Sequence, residues 1–297
     1  MRIRGFVLKA FQSVFYITAT VCVSACGFAE DAVNSRVIVR RNINYGDEVE
    51  PMHRGDIYCL DRGSFQDASE KLAAQKKFPA VLLIHGGAWT LGDKVNDTVH
   101  ARYMASRGLW VMTINYRLAP RHPFPAQLED CRRAMRWIVD HADEYRIDPN
   151  RIGVWGYSAG GHLAALLALD PLDQLPSVKA CVSGGTPFDL TRIPRESGVL
   201  KGVFGGTLDE IPSVYRQASP ISHVDQNDPP MFLFHGTKDW LVPEDNCALM
   251  RSKLRDCDVE HVYLEIPEKG HLSTFVNRRA LEESTEFLMR YLQSTEK

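Results

Sequence analysis

The chain has 297 residues, of which 44% are hydrophobic and 24% are charged, so it can bury the core of one sizeable domain. Its formal net charge is −2 and its pI is about 6.6, which gives no electrostatic reason to expect nucleic-acid binding. The sequence contains no internal repeat and no low-complexity tract. We therefore expect a single globular domain with no nucleic-acid partner.

The first 25 residues have the pattern of an export signal. Basic residues at positions 2, 4 and 9 precede an apolar stretch, Val14 to Val23, that is too short to span a bilayer. The stretch runs into Val-Ser-Ala-Cys, which resembles the bacterial lipobox, so Cys26 would be lipidated and become the first mature residue. The alternative is ordinary signal-peptidase cleavage after Ala29. We expect export to the bacterial periplasm or cell envelope, with membrane attachment through Cys26 in the first case and simple secretion in the second.

The cysteines do not indicate a disulfide framework. Once Cys22 and Cys26 are set aside with the signal, five remain, and only Cys247 and Cys257 are close in sequence. A helix is predicted between them, which gives no assurance of the geometry that a disulfide needs. The spacing of cysteine and histidine does not suggest a metal site either. We expect no metal and no other cofactor.

Strand and helix signals alternate through residues 37–297, which we predict to form the folded domain after a linker at 26–36. The apolar runs typical of strands lie near 37–43, 56–60, 79–84, 110–114, 151–155, 179–183, 231–235 and 261–266. The helical stretches lie near 97–107, 126–144, 158–169, 245–256 and 279–293. This alternation predicts a mostly parallel sheet of about eight strands with helices on both faces.

The third strand run leads into His85-Gly86-Gly87. Two adjacent glycines allow the backbone amides of Gly86 and Gly87 to turn toward a shared point. Together with the amide of Ala159 they would bind the negative oxygen of a tetrahedral intermediate. The alternative is a Gly-Gly turn of purely structural purpose. We expect His85 to brace this loop, and Trp89 beside it to contact substrate.

Ser158 lies where a strand run gives way to a helical stretch that begins at Ala159. The pentapeptide Gly156-Tyr157-Ser158-Ala159-Gly160 matches the nucleophile elbow Gly-x-Ser-x-Gly. The two glycines are needed because a strand that turns this sharply into a helix leaves no room for side chains. Small residues also recur in ordinary turns, so the pentapeptide alone is weak evidence. Tyr157, next to the serine, is a second candidate contact for substrate.

A serine hydroxyl is a poor nucleophile at neutral pH unless a base, itself oriented by a carboxylate, takes its proton. Asp239 follows the strand run at 231–234, and His271 follows the strand run at 262–266. Both therefore belong to loops just past the ends of strands, where they would supply the carboxylate and the base. Glu244 and Asp245 are alternatives for the acid, but they fit better in the first turn of the next helix, where carboxylates are favoured.

The remaining histidines are weaker candidates for the base. We expect His162, on the helix after the elbow, to point into packing, and His235 to be a structural histidine. The other candidates are assigned to the surface or to local hydrogen bonds, namely His53, His100, His122, His141, His223 and His261.

Residues 186–229, called the lid segment below, interrupt the alternation of strands and helices. They are rich in proline, glycine and serine and have little clean periodicity. The apolar residues that are candidates to line an acyl or aromatic pocket, with core packing as the alternative for each, are Phe188, Val203, Phe204 and Tyr215.

These motifs resemble the α/β-hydrolase superfamily, in particular the esterase group of hormone-sensitive-lipase-like carboxylesterases and bacterial acetyl and feruloyl esterase-like proteins. The run Gly-Tyr-Ser-Ala-Gly-Gly-His-Leu-Ala at 156–164, with Gly92-Asp93-Lys94 after the Gly86-Gly87 loop, is more similar to the acetyl and feruloyl esterase-like branch. Ala88 stands where many lipase-like members have a third glycine, and Tyr157 stands where they have an acidic residue. The motifs that carry the resemblance are His85-Gly86-Gly87, Asn115 to Pro120, His122 to Ala126, Gly156 to Ala164, Ser219 to Ile221, His235 to Asp239 and Gly270-His271.

The resemblance implies an α/β-hydrolase fold in which the lid segment covers part of the active site. It implies a catalytic triad of Ser158, Asp239 and His271, and a serine carboxylesterase that hydrolyses small to medium esters of acetyl or feruloyl type through an acyl-enzyme. The partner would be a small-molecule ester. Two alternatives stay open, an arylformamidase-like amide hydrolase and a non-catalytic binding protein with the hydrolase fold.

Overall fold

A computed structural model of the chain describes residues 37–61, 77–171, 175–192 and 198–293. The predicted export signal, the linker and Cys26 lie outside the described residues, so those assignments stay predictions. Within the described ranges, eight strands form one sheet. The strands are β1 (Val37–Asn44), β2 (Arg54–Leu60), β3 (Phe78–Ile84), β4 (Trp110–Ile114), β5 (Ile147–Tyr157), β6 (Ala180–Gly184), β7 (Met231–Gly236) and β8 (His261–Ile266).

Helices connect these strands, and the part of the chain that the structure describes also contains three short 3₁₀ turns, at Lys94–Asp97, Leu190–Arg192 and Pro220–Ser222. The α-helices of the described residues are α1 (Thr98–Ser106), α2 (Ala126–Asp140), α3 (Ala159–Leu169), α4 (Gly198–Phe204), α5 (Pro212–Gln217), α6 (Asp245–Asp256), α7 (His271–Phe275) and α8 (Arg278–Leu292).

The strand order in the sheet is β1-β2-β4-β3-β5-β6-β7-β8. Strand β2 is antiparallel to both of its neighbours, whereas all pairs from β4 to β8 are parallel. This confirms the prediction of an eight-stranded, mostly parallel sheet and the α/β-hydrolase fold. Because β3, β5, β7 and β8 run parallel, the loops after them meet at one edge of the sheet, which brings the predicted site residues together.

Alternating side chains of the strands enter two separate cores. In β3, Leu82 and Ile84 join the core beneath α2 and α3, while Val81 and Leu83 join the core beneath α1 and α8. Helix α3 is buried along its whole length, which explains why its sequence is apolar on every side. The sheet is therefore covered on both faces, as a mostly parallel sheet requires.

The lid segment contains α4 and α5 between β6 and β7, two short helices that its sequence did not predict. Phe188, Val203, Phe204 and Tyr215 are all buried, and they belong to the same core as α2 and α3. The structure therefore places these four side chains in the core, which was the alternative to lining a pocket.

The cysteines of the described residues are all free thiols, including Cys247 and Cys257. The described ranges contain no group of three or more histidine, cysteine, aspartate or glutamate residues that could hold a metal ion. Nor does any helix in these ranges combine the length and hydropathy that crossing a membrane requires.

Asp97 is a buried carboxyl group in the 3₁₀ turn before α1, and its Oδ2 has no hydrogen-bond partner among the described residues. Burial raises the pKa of Asp97 to about 8. Because this pKa is higher in the folded chain than the value of about 3.9 in an unfolded one, folding takes up a proton between those two pH values. The free energy of unfolding therefore falls as the pH rises through this window.

Replacing Asp97 by asparagine removes the group that titrates. We expect Asp97→Asn to melt at a higher temperature than the parent protein above about pH 8, and the difference to shrink to nearly nothing near pH 4. Thermal melts over this pH range measure it. A constant difference between the two proteins at every pH would contradict the assignment.

Candidate active site

Ser158 occupies a strained turn between β5 and α3. Its backbone dihedrals are φ 56° and ψ −123°, values that a residue with a side chain rarely adopts. The turn closes because the backbones around it nearly touch. A Cβ atom on Gly156 would overlap the carbonyl of Gly160, and one on Gly160 would overlap the carbonyl of Ile84. The Ser158 side chain is thereby presented, partly exposed, at the carboxyl edge of the sheet.

The structure brings Ser158, His271 and Asp239 together in one line of hydrogen bonds. The Oγ of Ser158 lies 2.9 Å from Nε2 of His271, and Nδ1 of His271 lies 2.6 Å from Oδ2 of Asp239. A carboxylate only accepts hydrogen bonds, so Nδ1 carries the imidazole proton and Nε2 is left to accept the serine proton. His271 and Asp239 are both buried, which shields these bonds from water.

Asp239 is held as an ionised carboxylate by its surroundings. Burial by itself would raise the pKa of the Asp239 carboxyl, but the hydrogen bond and charge of His271 and the N–H of Val242 outweigh it and leave the pKa below its usual range. Its Oδ1 accepts from the backbone amides of Leu241 (3.0 Å) and Val242 (2.9 Å). Oδ2 is therefore free to face His271.

His235 stabilises the loop that carries Asp239. It is fully buried, and its Nε2 donates to the carbonyl of Val242 at 2.8 Å while lying 3.5 Å from Oδ2 of Asp239. Burial lowers the pKa of His235, so the ring is neutral at physiological pH. This agrees with the structural role expected from the sequence.

The loop after β3 lies directly against the elbow. A Cβ atom on Gly86 would come within 3.5 Å of the Ser158 Cβ atom. His85 braces this loop as expected: its Nδ1 donates to the carbonyl of Gly86 at 2.7 Å, and its ring stacks on Tyr116 at 4.3 Å. Tyr116 in turn donates its hydroxyl to the carbonyl of His85 at 2.9 Å.

Trp89 and His162 connect this loop to the lid segment. The indole N–H of Trp89 donates to Nδ1 of His162 at 3.1 Å, and Nε2 of His162 donates to the carbonyl of Ala218 at 2.6 Å. The Trp89 ring also lies 6.1 Å from the ring of Phe204. Sequence reasoning placed His162 in packing and missed the bridge, for which the one signal is a histidine on an otherwise apolar helix. A contact between Trp89 and substrate stays a prediction.

The structure contradicts the prediction that Tyr157 contacts substrate. Tyr157 is 4% exposed and lies in the core beneath α1 and α8, on the other face of the sheet from Trp89. Its hydroxyl donates to the backbone carbonyl of His271 at 2.6 Å. The reason is the alternation of strand side chains, because the last residue of β5 points to the face opposite the lid segment.

Comparison with known proteins shows the family to which this chain belongs. Residues 67–254, more than half of the chain, match the BD-FAE family. The chain belongs to the BD-FAE family. The matched span of this BD-FAE chain contains Ser158 and Asp239 and ends before His271, so the position of His271 beside them comes from the fold. The family and the fold together place the chain among α/β-hydrolases of the esterase and lipase type.

Curated relatives of this BD-FAE chain include two proteins of Mycobacterium tuberculosis. Esterase LipC is 32% identical over 254 residues, which cover 80% of this chain and 60% of LipC. The probable carboxylic ester hydrolase LipM is 33% identical over 215 residues, which cover 65% of this chain and 49% of LipM. The chain thus spans about half to three-fifths of the length of these relatives.

Solved structures give the same fold. A truncated form of a carbohydrate esterase from gut microbiota superposes with a TM-score of 0.75 over 88% of this chain and 98% of that one. The two sequences are 23% identical, so the likeness concerns the fold alone.

Proposed function

We propose that this chain is a serine carboxylesterase that hydrolyses small to medium carboxylic esters, of acetyl or feruloyl type, through an acyl-enzyme. The observation that carries the proposal is the line of hydrogen bonds from Asp239 through His271 to Ser158. The names of LipC and LipM, an esterase and a probable carboxylic ester hydrolase, support ester chemistry.

In the first half of the reaction, Ser158 Oγ attacks the ester carbonyl carbon while Nε2 of His271 takes the hydroxyl proton. The tetrahedral intermediate then collapses, the bond to the alcohol oxygen breaks, and His271 gives the proton to the departing alcohol. In the second half, His271 takes a proton from water, which attacks the acyl carbon. His271 returns that proton to Ser158 Oγ as the acid leaves. Asp239 stabilises the imidazolium in both halves.

The amides of Gly86, Gly87 and Ala159 are proposed to bind the oxyanion of both tetrahedral intermediates. Two observations support this assignment. Gly86 lies against the elbow, and Ala159 is the first residue of α3, where a helix has amides without intrahelical partners and favours negative charge. The bracing of the loop by His85 keeps it in place before substrate arrives.

We expect acyl chains longer than about eight carbons to be poor substrates. Aromatic rings of the lid segment pack against one another and against Phe124, with Phe204 lying 4.8 Å from Tyr215 and 5.7 Å from Phe124 between ring centroids. A long chain would have to displace these rings, which are close-packed. Measuring kcat/KM for nitrophenyl esters from acetate to palmitate tests this expectation, and a maximum at palmitate would contradict it.

The same panel tests the function itself when methyl ferulate, acetylated sugars and N-formylkynurenine are added. Hydrolysis of the esters, with covalent capture of Ser158 by an alkyl phosphonate detected by peptide mass spectrometry, is the expected result. Turnover confined to N-formylkynurenine would favour the amide hydrolase instead. A folded protein that neither turns over any of these compounds nor reacts with the phosphonate would favour a binding protein.

A further inference from the structure

Helix α7, which carries His271 at its first position, has only five residues (His271–Phe275). So short a helix is not stable on its own, because the first turn fixes several dihedral angles for very few hydrogen bonds. Contacts from other elements must therefore fix the backbone of His271. Two buried side chains, from β5 and from α1, make such contacts at the two ends of α7.

Tyr157 holds the first end. Besides the hydrogen bond from its hydroxyl to the His271 carbonyl, its ring lies 5.0 Å from the His271 imidazole and 5.3 Å from the ring of Phe275. The ring has room because Gly185 has no side chain, and a Cβ there would overlap it. Burial raises the pKa of Tyr157 well above its usual range, so the hydroxyl remains a donor at any working pH.

His100 holds the second end. It is buried on α1, its Nε2 donates to the carbonyl of Phe275 at 3.1 Å, and its ring stacks on Phe275 at 4.7 Å. Burial lowers the pKa of His100 to about 4, so the ring is neutral. Because a carbonyl only accepts hydrogen bonds, the single ring proton lies on Nε2. Both ends of α7 are thus held by uncharged donors.

Two adjacent residues of the elbow therefore hold His271 in different ways. The bond from Ser158 Oγ to Nε2 holds the imidazole, and it depends on the serine proton. The bond from Tyr157 holds the backbone, and the reaction does not touch it. In the acyl-enzyme, Ser158 Oγ is esterified and has no proton to donate, so the first bond is gone.

We infer that Tyr157 is a positioning residue that keeps His271 in place during hydrolysis of the acyl-enzyme. The inference rests on the proposed function. In this half-reaction His271 must take a proton from water while Asp239 is its remaining side-chain partner. The water oxygen bonds to the acyl carbon, the bond from that carbon to Ser158 Oγ breaks, and the proton passes through His271 to Oγ. Loss of the Tyr157 hydroxyl therefore weakens deacylation more than acylation.

The test is Tyr157→Phe, which removes the hydroxyl and keeps the ring. Rapid quenching of the reaction with nitrophenyl acetate, followed by intact-protein mass spectrometry, measures the acetyl-enzyme directly. We expect the deacylation rate constant to fall about tenfold, as the loss of one buried hydrogen bond predicts, and acylation to change by less than about twofold. Where deacylation limits turnover, kcat and KM fall together and kcat/KM is kept.

Tyr58→Phe is the matched control. Tyr58 is buried in the same core as Tyr157, and its hydroxyl lies 3.3 Å from Oγ1 of Thr98, a residue that belongs to neither α7 nor the elbow. We expect it to behave as the parent in both half-reactions. A purely structural role for Tyr157 would lower the fraction of active enzyme, seen as a smaller burst with kcat per active site and KM unchanged, and would overturn the inference.

A second pair of variants covers the case in which Tyr157→Phe does not fold. His100→Leu removes the donor at the other end of α7, and we expect it to slow deacylation selectively, whereas His100→Gln keeps an N–H donor and restores the rate. If His100→Leu and His100→Gln each changed the rate constants of acylation and deacylation by the same factor, the inference would be overturned. Failure of the proposed function would be recognised separately, because in that case the parent protein itself would not hydrolyse the ester.

Discussion

Replacing Ser158 by alanine is expected to lower kcat for ester hydrolysis by about 10⁴-fold or more without unfolding the protein. The hydroxyl is the atom that forms the acyl-enzyme, and without it His271 and Asp239 have no nucleophile to activate. The elbow tolerates the change because alanine has the same Cβ atom as serine at φ 56° and therefore adds no new strain. The kcat for nitrophenyl acetate measures the loss of activity, and the melting temperature shows whether the protein still folds.

Ser222→Ala provides the control for Ser158→Ala, since it removes an exposed hydroxyl from the lid segment. Its kcat should equal that of the parent. If folded Ser158→Ala hydrolyses the ester at a rate comparable with Ser222→Ala, then Ser158 is not the nucleophile, and the proposed mechanism is wrong.

Asp239→Asn is expected to lower kcat by about 10³-fold to 10⁴-fold. In the parent, Oδ1 accepts two backbone amides and Oδ2 accepts Nδ1–H of His271. An asparagine must place its oxygen on the amides of Leu241 and Val242, so its NH₂ group faces His271. That group donates and cannot accept, which forces the imidazole proton onto Nε2, where it blocks proton transfer from Ser158.

Asp245→Asn separates this effect from a general loss of charge beside the loop. Asp245 is the first residue of α6, where a carboxylate contributes a few tenths of a kcal/mol, up to about 1, through the helix dipole. We expect its kcat to stay within about twofold of the parent. A large loss of kcat in Asp245→Asn together with a small loss in Asp239→Asn would instead identify Asp245, on α6, as the acid of the triad.

Most of the fold could be predicted from the sequence because buried parallel strands have continuous apolar runs. The eight strands and five longer helices lie where these patterns are. The beginning of β5 is an instructive exception: it starts at Ile147, four residues before the apolar run, through Asp148-Pro149-Asn150. Ile147 pairs with Phe78 across an irregularity in the register, and that pairing partner is distant in the sequence.

The positions of Ser158, Asp239 and His271 could also be predicted, because each follows a strand run and the edge of a parallel sheet brings such loops together. The contacts of two buried histidines outside the triad could not be predicted. His53 and His100, assigned to the surface or to local bonds, are buried, and they contact Asp130 and the Phe275 carbonyl, far away along the chain. Periodicity locates a side chain on its own element, but it contains no information about which distant backbone atom lies opposite.

The bridge from His162 to the lid segment has a consequence for how this protein can diversify. The acceptor at Ala218 is a main-chain carbonyl, which every amino acid provides, so the attachment does not depend on which side chains the lid segment presents. Position 218 needs only a small residue, since Ala218 is fully buried. Substitutions elsewhere in the segment leave this main-chain acceptor in place, so the connection between α3 and the segment does not constrain which side chains evolution can introduce there.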